Sequence, residues 1–393
     1  MSEKMNPILD RDRIISIDIL RGIAILGIFL VNMPDFHSPF LYINPLDWWD
    51  KNPDRTLYII NDIFAQASFY PLFAFLFGFG AIILSERVQK RGQSFPLIFS
   101  RRLFALLLFG CIHAFLIWHG DILISYALCG FAFLLVYKMS GRSLLLLGGL
   151  LYFIPFFLLG LLTLLAMFLG EDIPMPTEID KANQALEIYK SGSFAEITGQ
   201  RAEDWYSVNG PVGFIFIFLS IFPLFMVGAA FAKLNWLHNP KQHKKILAAI
   251  MLLTGVPGIL IKCVPYWNSY SYSWVYWQDQ FGGPLLSIFY ITFVVLILQN
   301  GKIYKLLAPF SYPGRLSMSN YLLQSIISTL LFYSYGLGLY GEVSFTWGTI
   351  LVFIIFGIQI LASIWWLRKF RLGPVEYVWR TLTYGKVPAM RRT

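Results

Sequence analysis

Gly110-Cys-Ile-His-Ala-Phe-Leu-Ile-Trp-His-Gly-Asp-Ile-Leu-Ile-Ser-Tyr126 sets His113, His119 and Asp121 between two long apolar runs. Runs of that length and composition read as membrane spans. An ionised group at the centre of a bilayer costs roughly 2.5 kcal/mol at the low end of the disputed scales. A chain that keeps an imidazole there is therefore expected to use it, and the hairpin reads as a site, with His113 in the outer part of the third span and His119 and Asp121 at the outer water interface.

The rest of the chain supports the membrane reading. Of 393 residues, 57% are hydrophobic and 13% charged, against about 25% charged in a soluble domain. So much apolar surface does not fit inside one water-soluble core. The net charge of +9 does not point to nucleic acid, because the basic residues fall in short segments between apolar runs, which is the orientation signal of a multi-span protein. Cys111, Cys129 and Cys263 stand in apolar surroundings without CxxC spacing, so neither a disulfide framework nor a metal site is expected. The first apolar run follows Arg11 and Arg13 and lacks a small-x-small cleavage site, so it reads as a span and not as a cleaved signal.

A span needs about 20 apolar residues, and about ten are read, at roughly 16–34, 60–84, 103–119, 121–137, 143–169, 212–232, 246–264, 283–300, 316–333 and 347–367. The fold class is thus an all-α transmembrane bundle forming one domain over 1–393. With the N-terminus inside, 24 of the 31 Lys and Arg fall on the cytoplasmic side, Lys4, Arg11 and Arg13 among them. Six fall outside (Lys51, Arg55, Lys181, Lys190, Arg201, Lys262), and Arg21 lies within a span. This asymmetry places both termini in the cytoplasm and the protein, as a multi-pass chain, in the cell membrane. Residues 368–393 read as a basic cytoplasmic tail. Pro155 supplies a cause for a kink in the long fifth span.

Residues 170–211 read as an acidic extracytoplasmic loop. In it Thr177-Glu-Ile-Asp180 starts a short amphipathic helix, with Ile179, Leu186 and Tyr189 on one side. Residues 265–282 are densely aromatic, either an interfacial belt or a stacking surface for a carbohydrate or lipid headgroup.

Three polar constellations fall within the spans. Asp18 and Arg21, three apart, share a helix face and can pair; the pair is structural, or Arg21 snorkels to the headgroups. Asn32 follows near the outer end, as interhelical glue or as a site residue. His113 and Asp121 form the second. A carboxylate on one imidazole nitrogen fixes its tautomer and orientation. Eight residues of straight helix would separate the two by about 12 Å, so they meet only if the turn folds Asp121 back. Asp121 can alternatively cap the fourth span. His119, beside Trp118, reads as an interfacial residue. The third is the stripe Ser317, Asn320, Gln324 and Ser328, which must face a cavity or another helix, since lipid leaves amides unsatisfied. Arg315 at its inner end, with Arg101 and Arg102, offers a contact for the phosphates of a donor, or merely for anionic lipid. No P-loop, GxSxG or HExxH motif occurs.

Ile17-Asp-Ile-Leu-Arg-Gly-Ile-Ala-Ile-Leu-Gly-Ile-Phe-Leu-Val-Asn32, Phe73-Ala-Phe-Leu-Phe-Gly78, the hairpin from His113 through Asp121 to Leu128, Gly314-Arg-Leu-Ser-Met-Ser-Asn-Tyr-Leu-Leu-Gln324 and Gly373-Pro-Val-Glu-Tyr-Val-Trp-Arg380 together resemble the bacterial YeiB family, of the DUF418 type. The likeness runs from the first span to the C-terminal tail. More distantly, Asp18-x-x-Arg21-Gly22 is similar to the first span of membrane acyltransferases of the acyltransferase-3 and heparan-glucosaminide N-acetyltransferase types. That resemblance implies transfer of an acyl group from cytoplasmic acyl-coenzyme A to an acceptor on the far side, with a His near the outer face. Asn32 stands where the acyltransferase-3 pattern has His, as in the glucosaminide type. His37 is the sole candidate for the latter's loop His, in a different local context.

Three functions are therefore weighed. As an acyltransferase, the protein would take acyl-coenzyme A from the basic side, with no metal, and use His113, oriented by Asp121, to deprotonate an acceptor on a cell-envelope sugar or lipid. Asn32, Ser317, Asn320, Gln324 and Tyr126 would line the cavity. As a transporter of a small amphiphile, His113 would couple to protons. As a scaffold, these residues would serve folding alone. The bilayer is a partner in every case, nucleic acid in none, and homo-oligomer formation is left open.

Overall fold

The computed structural model describes residues 14–171 and 173–392. Lys4, Arg11 and Arg13 of the charge argument lie outside the described residues. The described chain is helical, with one isolated β-bridge, Phe370 to Arg391. The longer helices in chain order are α1 (Ile15–His37), α2 (Asp54–Phe64), α3 (Phe69–Lys90), α4 (Phe95–Ile112), α5 (Leu123–Val136), α6 (Gly141–Phe168), α7 (Ile179–Ser191), α8 (Phe194–Asn209), α9 (Pro211–Lys233), α10 (Lys244–Trp267), α11 (Tyr272–Trp277), α12 (Gly283–Ile297), α13 (Ser317–Phe332), α14 (Phe345–Lys369) and α15 (Pro374–Tyr384).

Among the described residues, eight helical stretches are long and apolar enough to cross a bilayer: α1, α2–α3, α4 with its continuation to Ile117, α6, α9, α10, α11–α12 and α14. The other two expected spans are shorter. α5 has 14 residues and α13 has 16, so at about 1.5 Å per residue neither fills a 30 Å core unaided. Both lie against the candidate site, and α5 begins only after the turn that follows the π-helical segment His113–Ile117.

The bundle shows two kinds of surface. α6, α10 and α14 expose rows of large apolar side chains, such as Leu150, Phe153, Leu158 and Leu162 on α6, as a lipid-facing helix must. α3 and α9 are buried instead and cross closely. A Cβ at Gly78 would land on the backbone of Phe225, and one at Gly228 on the carbonyl oxygen of Phe75. Close backbone approach over small residues replaces hydrophobic driving force between membrane helices. At the basic end, Gly22 and Gly314 bring α1 against the helical turn Ser311–Arg315 in the same way.

Two expected loops are structured. The 170–211 segment holds the expected helix, but Thr177 does not cap it, Ile179 is exposed, and Ala182, Ala185 and Tyr189 make the buried face. A second helix, α8, follows, opened by a Ser193–Glu196 capping box. Residues 265–282 complete α10 and form α11 and a π-helical turn, Gln278–Gly282. Their aromatic side chains bond inward: Tyr266 to Asp62, Tyr276 to the Phe156 carbonyl, Trp277 to the Gly160 carbonyl. These three fasten the end of the bundle, while Trp267 and Tyr272 are exposed. The basic C-terminal segment folds back as α15, with Arg371 N–H donating to the Met390 carbonyl.

Candidate functional site

α4 does not continue as an α-helix through its histidine. From His113 to Ile117 it widens into a π-helical turn, closed by a 2.8 Å hydrogen bond from Trp118 N–H to the His113 carbonyl. Trp118 is extended and the chain reverses. Single π-turns inside helices are frequent at functional sites. Here the turn folds Asp121 back beside His113, removing the 12 Å separation of a straight helix.

Asp121 makes two contacts, one on each oxygen. Oδ1 lies 2.9 Å from His113 Nδ1, and Oδ2 accepts the Ile124 N–H at 2.9 Å at the start of α5. A carboxylate only accepts, so Nδ1 carries the proton of the neutral imidazole and Nε2 is the acceptor. Nε2 faces Ser325 Oγ on α13 at 2.9 Å. The result is a hydroxyl–imidazole–carboxylate chain whose members are all buried, His113 at 0% exposure and Ser325 at 1%. Gly110 makes room for it: a Cβ there would lie 2.7 Å from Ile124 N and 3.1 Å from Asp121 Oδ2. The Tyr321 and Trp118 rings wall the imidazole, with centroids 5.1 and 6.1 Å away.

Directly beyond the π-turn lies a second buried network. His119 is buried within the protein; Nε2 meets Asp35 Oδ2 at 3.0 Å and Nδ1 lies 3.6 Å from Asp204 Oδ2. Burial pushes the imidazole down, but Asp35 and Asp204 outweigh it and hold His119 above its usual range. Asp204 also accepts from Tyr42 at 2.7 Å, Tyr189 at 2.5 Å and Gln200 at 2.7 Å. Arg201, three residues before Asp204 on α8, is wholly buried, and its guanidinium donates to the Phe115 carbonyl in the π-turn at 3.4 Å and to Tyr335 OH at 3.1 Å. α8 therefore closes over the turn that holds His113.

The structure does not gather the other expected cavity residues around one space. Asn320 donates to Ser363 and Gln324 to Gln359, and Gln359 donates back to the Asn320 carbonyl. The stripe is glue between α13 and α14. Tyr126 turns into the core and donates to the Tyr70 carbonyl. Asn32 and Ser317 are half-buried and bond to none of these groups. His37 is 1% exposed, and neither ring nitrogen has a partner. It borders a narrow crevice with Leu30, Met33, Phe345 and Thr349.

At the basic end Arg21 pairs with Asp18 at 3.2 Å. Arg102 stacks on Trp379 at 3.5 Å, with Arg21 and Arg380 as charged neighbours. Arg101 is exposed and Arg315 half-buried. Glu376 of α15 accepts the N–H groups of Met318 and Ser319 at 2.8 and 3.0 Å, and the Ser319 hydroxyl. A carboxylate suits the positive end of a helix, and it anchors the helix that carries Ser325.

A third buried set was unforeseen. Lys262, counted among the outer charges, is 0% exposed within α10. It reaches Asp279 Oδ1 at 3.0 Å and the Gln66 carbonyl at 3.1 Å, at the break between α2 and α3.

Residues 231–386 match the family described as "Protein of unknown function (DUF418)". The chain is 38% identical to the uncharacterised protein YxaH of Bacillus subtilis (strain 168), over 97% of this chain and 96% of that one. It is 30% identical to the uncharacterised protein YeiB of Escherichia coli (strain K12), over 97% and 99%. An uncharacterised 39.9 kDa protein in the amylase 3'-region of Bacillus acidopullulyticus is 29% identical over 97% of each chain. The chain belongs to the DUF418 family, as a multi-span helical membrane protein.

Proposed function

For this DUF418-family membrane protein we propose acyl transfer from a cytoplasmic acyl-coenzyme A to an extracytoplasmic acceptor on a cell-envelope sugar or lipid, through a transient acyl ester on Ser325. The observation that carries the reading is the bonded chain Ser325–His113–Asp121. Nucleophile, base and orienting carboxylate within hydrogen-bond reach are the general signature of an activated serine.

In the first step Ser325 Oγ attacks the thioester carbonyl while His113 Nε2 takes its proton. The carbon–sulfur bond breaks, and the coenzyme A thiolate leaves with that proton. In the second step an acceptor hydroxyl or amine gives its proton to Nε2 and attacks the ester, and Ser325 Oγ leaves protonated. Arg21, Arg102 and Arg380, with Arg101 and Arg315 nearer the surface, would meet the donor phosphates at the basic end. The basic end is read as cytoplasmic within the cell membrane. Reporter fusions at residues 92, 190 and 240 test this, and a cytoplasmic residue 190 overturns it.

The deciding experiment incubates detergent-purified protein with acyl-coenzyme A of increasing chain length and maps the adduct by mass spectrometry. An ester on the Ser325 peptide, lost in Ser325→Ala, is expected. No adduct with any donor, or adduct elsewhere that persists in Ser325→Ala, refutes the reading.

Transport of a small amphiphile is the second reading, favoured by Lys262 and Asp279 at two interrupted helices, an arrangement that transporters use at their binding sites. Proton-gradient-dependent accumulation in proteoliposomes would select it.

A further inference from the structure

We propose that Arg201 and Tyr333 form an oxyanion-binding site, above the Ser325 relay, for an acidic group of the extracytoplasmic acceptor. The inference rests on the acyl-transfer reading for the identity of the ligand as acceptor. It does not rest on that reading for the existence of the site.

Arg201 is a fully buried guanidinium that makes no ion pair with a carboxylate among the described residues. Taking such a charge out of water is costly unless it is paired. What surrounds it is one carbonyl, one phenol and the rings of Phe194, Tyr333 and Tyr335 at 5.3 to 5.7 Å. Its Nε–H has no partner, and neither has the buried hydroxyl of Tyr333. The indole N–H groups of Trp118 and Trp205, on the π-turn side of the same cluster, are unpaired as well.

Guanidinium and indole N–H groups can only donate. The set is therefore complementary to a group that only accepts, a carboxylate or a phosphate. The nearby acids do not fill that role. Asp204 already accepts from Tyr42, Tyr189 and Gln200, and Asp35 is engaged by His119. A guanidinium enclosed by aromatic rings, with its planar fork of donors, is suited to carboxylate and phosphate recognition. Its second bond, to the Phe115 carbonyl, ties it to the turn that carries His113. An anion bound there would lie next to the relay and at the end of the bundle from which an acceptor arrives.

The test uses purified protein without any acyl donor, titrated with sodium phosphate or sodium acetate against chloride at matched ionic strength, and read by tryptophan fluorescence and thermal shift. Wild type and Ser325→Ala should both saturate. A response to phosphate points to a phosphorylated acceptor and a response to acetate to a carboxylated one. Tyr333→Phe removes a hydroxyl that has no partner, so its melting temperature without anion should match wild type or exceed it. Its affinity for the anion should fall about tenfold or more, as for one lost hydrogen bond to a charged group. Arg201→Gln should abolish saturation, with Arg201→Lys retaining part of it. Absence of a saturable response to both anions in wild type overturns the site, even if Ser325 acylates. So does a Tyr333→Phe protein that binds as wild type does. Saturation without acylation of Ser325 overturns the acyl-transfer reading and leaves the site standing.

Discussion

Replacing Asp121 by Asn separates the two jobs that its carboxylate performs. Its oxygens accept at the same time from His113 Nδ1–H and from Ile124 N–H. Asn has one acceptor, and the other position must hold an NH2 group. If the amide oxygen stays on His113, the NH2 faces the Ile124 N–H and leaves a buried donor unpaired, costing about 1–3 kcal/mol. If the amide turns over, Ile124 keeps its cap and the NH2 faces Nδ1, which must then accept. The imidazole proton moves to Nε2, and the cost is the exchange of a charge-assisted bond for a neutral one, about 1 kcal/mol. The second arrangement therefore wins. The helix cap survives, but Nε2–H now donates to Ser325 and is no longer a base. Asp121→Asn is expected to melt close to wild type while acylation of Ser325 slows by about 10⁴-fold, the loss that the same change of tautomer causes in a hydrolytic triad. The assay is the time course of ester formation by intact mass, run beside differential scanning fluorimetry. Acylation within tenfold of wild type in a folded Asp121→Asn protein would refute the argument that His113 acts as a base oriented by Asp121.

At the Lys262–Asp279 pair, Asp279→Ala strands an ammonium at 0% exposure, whereas Lys262→Met strands a carboxylate whose side chain is 24% exposed. The first should cost about 3–5 kcal/mol, the second less, and the double substitution should recover stability in denaturant titrations. Burial pushes the Glu376 carboxyl up, against the opposing effect of the Ser319 and Met318 donors. A carboxyl whose folded pKa lies above its unfolded value contributes most at acid pH and loses that contribution as pH rises through the folded value. Protection against hydrogen exchange over 374–384, taken relative to the intrinsic base-catalysed rate at each pH, should therefore fall with rising pH in wild type, and Glu376→Gln should flatten that dependence.

How much of this was legible depended on whether a local rule decided it. The cost of an ionisable group between spans singled out His113 and Asp121, and the three-residue spacing paired Asp18 with Arg21. Ser325 was hidden because a helical wheel reads the amides first. Asn320 and Gln324 define a face that serves α14, while Ser325, about 100° round from Gln324, meets His113 only because of how α13 is set against the π-turn. The π-turn itself has no sequence sign, since His113 to Ile117 has the composition of any apolar span. Arg201 and Lys262 were counted as solvated charges because the 170–211 segment is polar and Lys262 stands near the outer end of its helix. Counting charges assigns a side of the membrane but not a burial. The Arg201 error shares a cause with the missed helix α8: a polar segment between spans can fold down over the bundle and bury what it carries, whereas Lys262 is buried within the long helix α10 itself. On the acyl-transfer proposal, an ester on Ser325 would link the two faces of the membrane without a continuous water path between them.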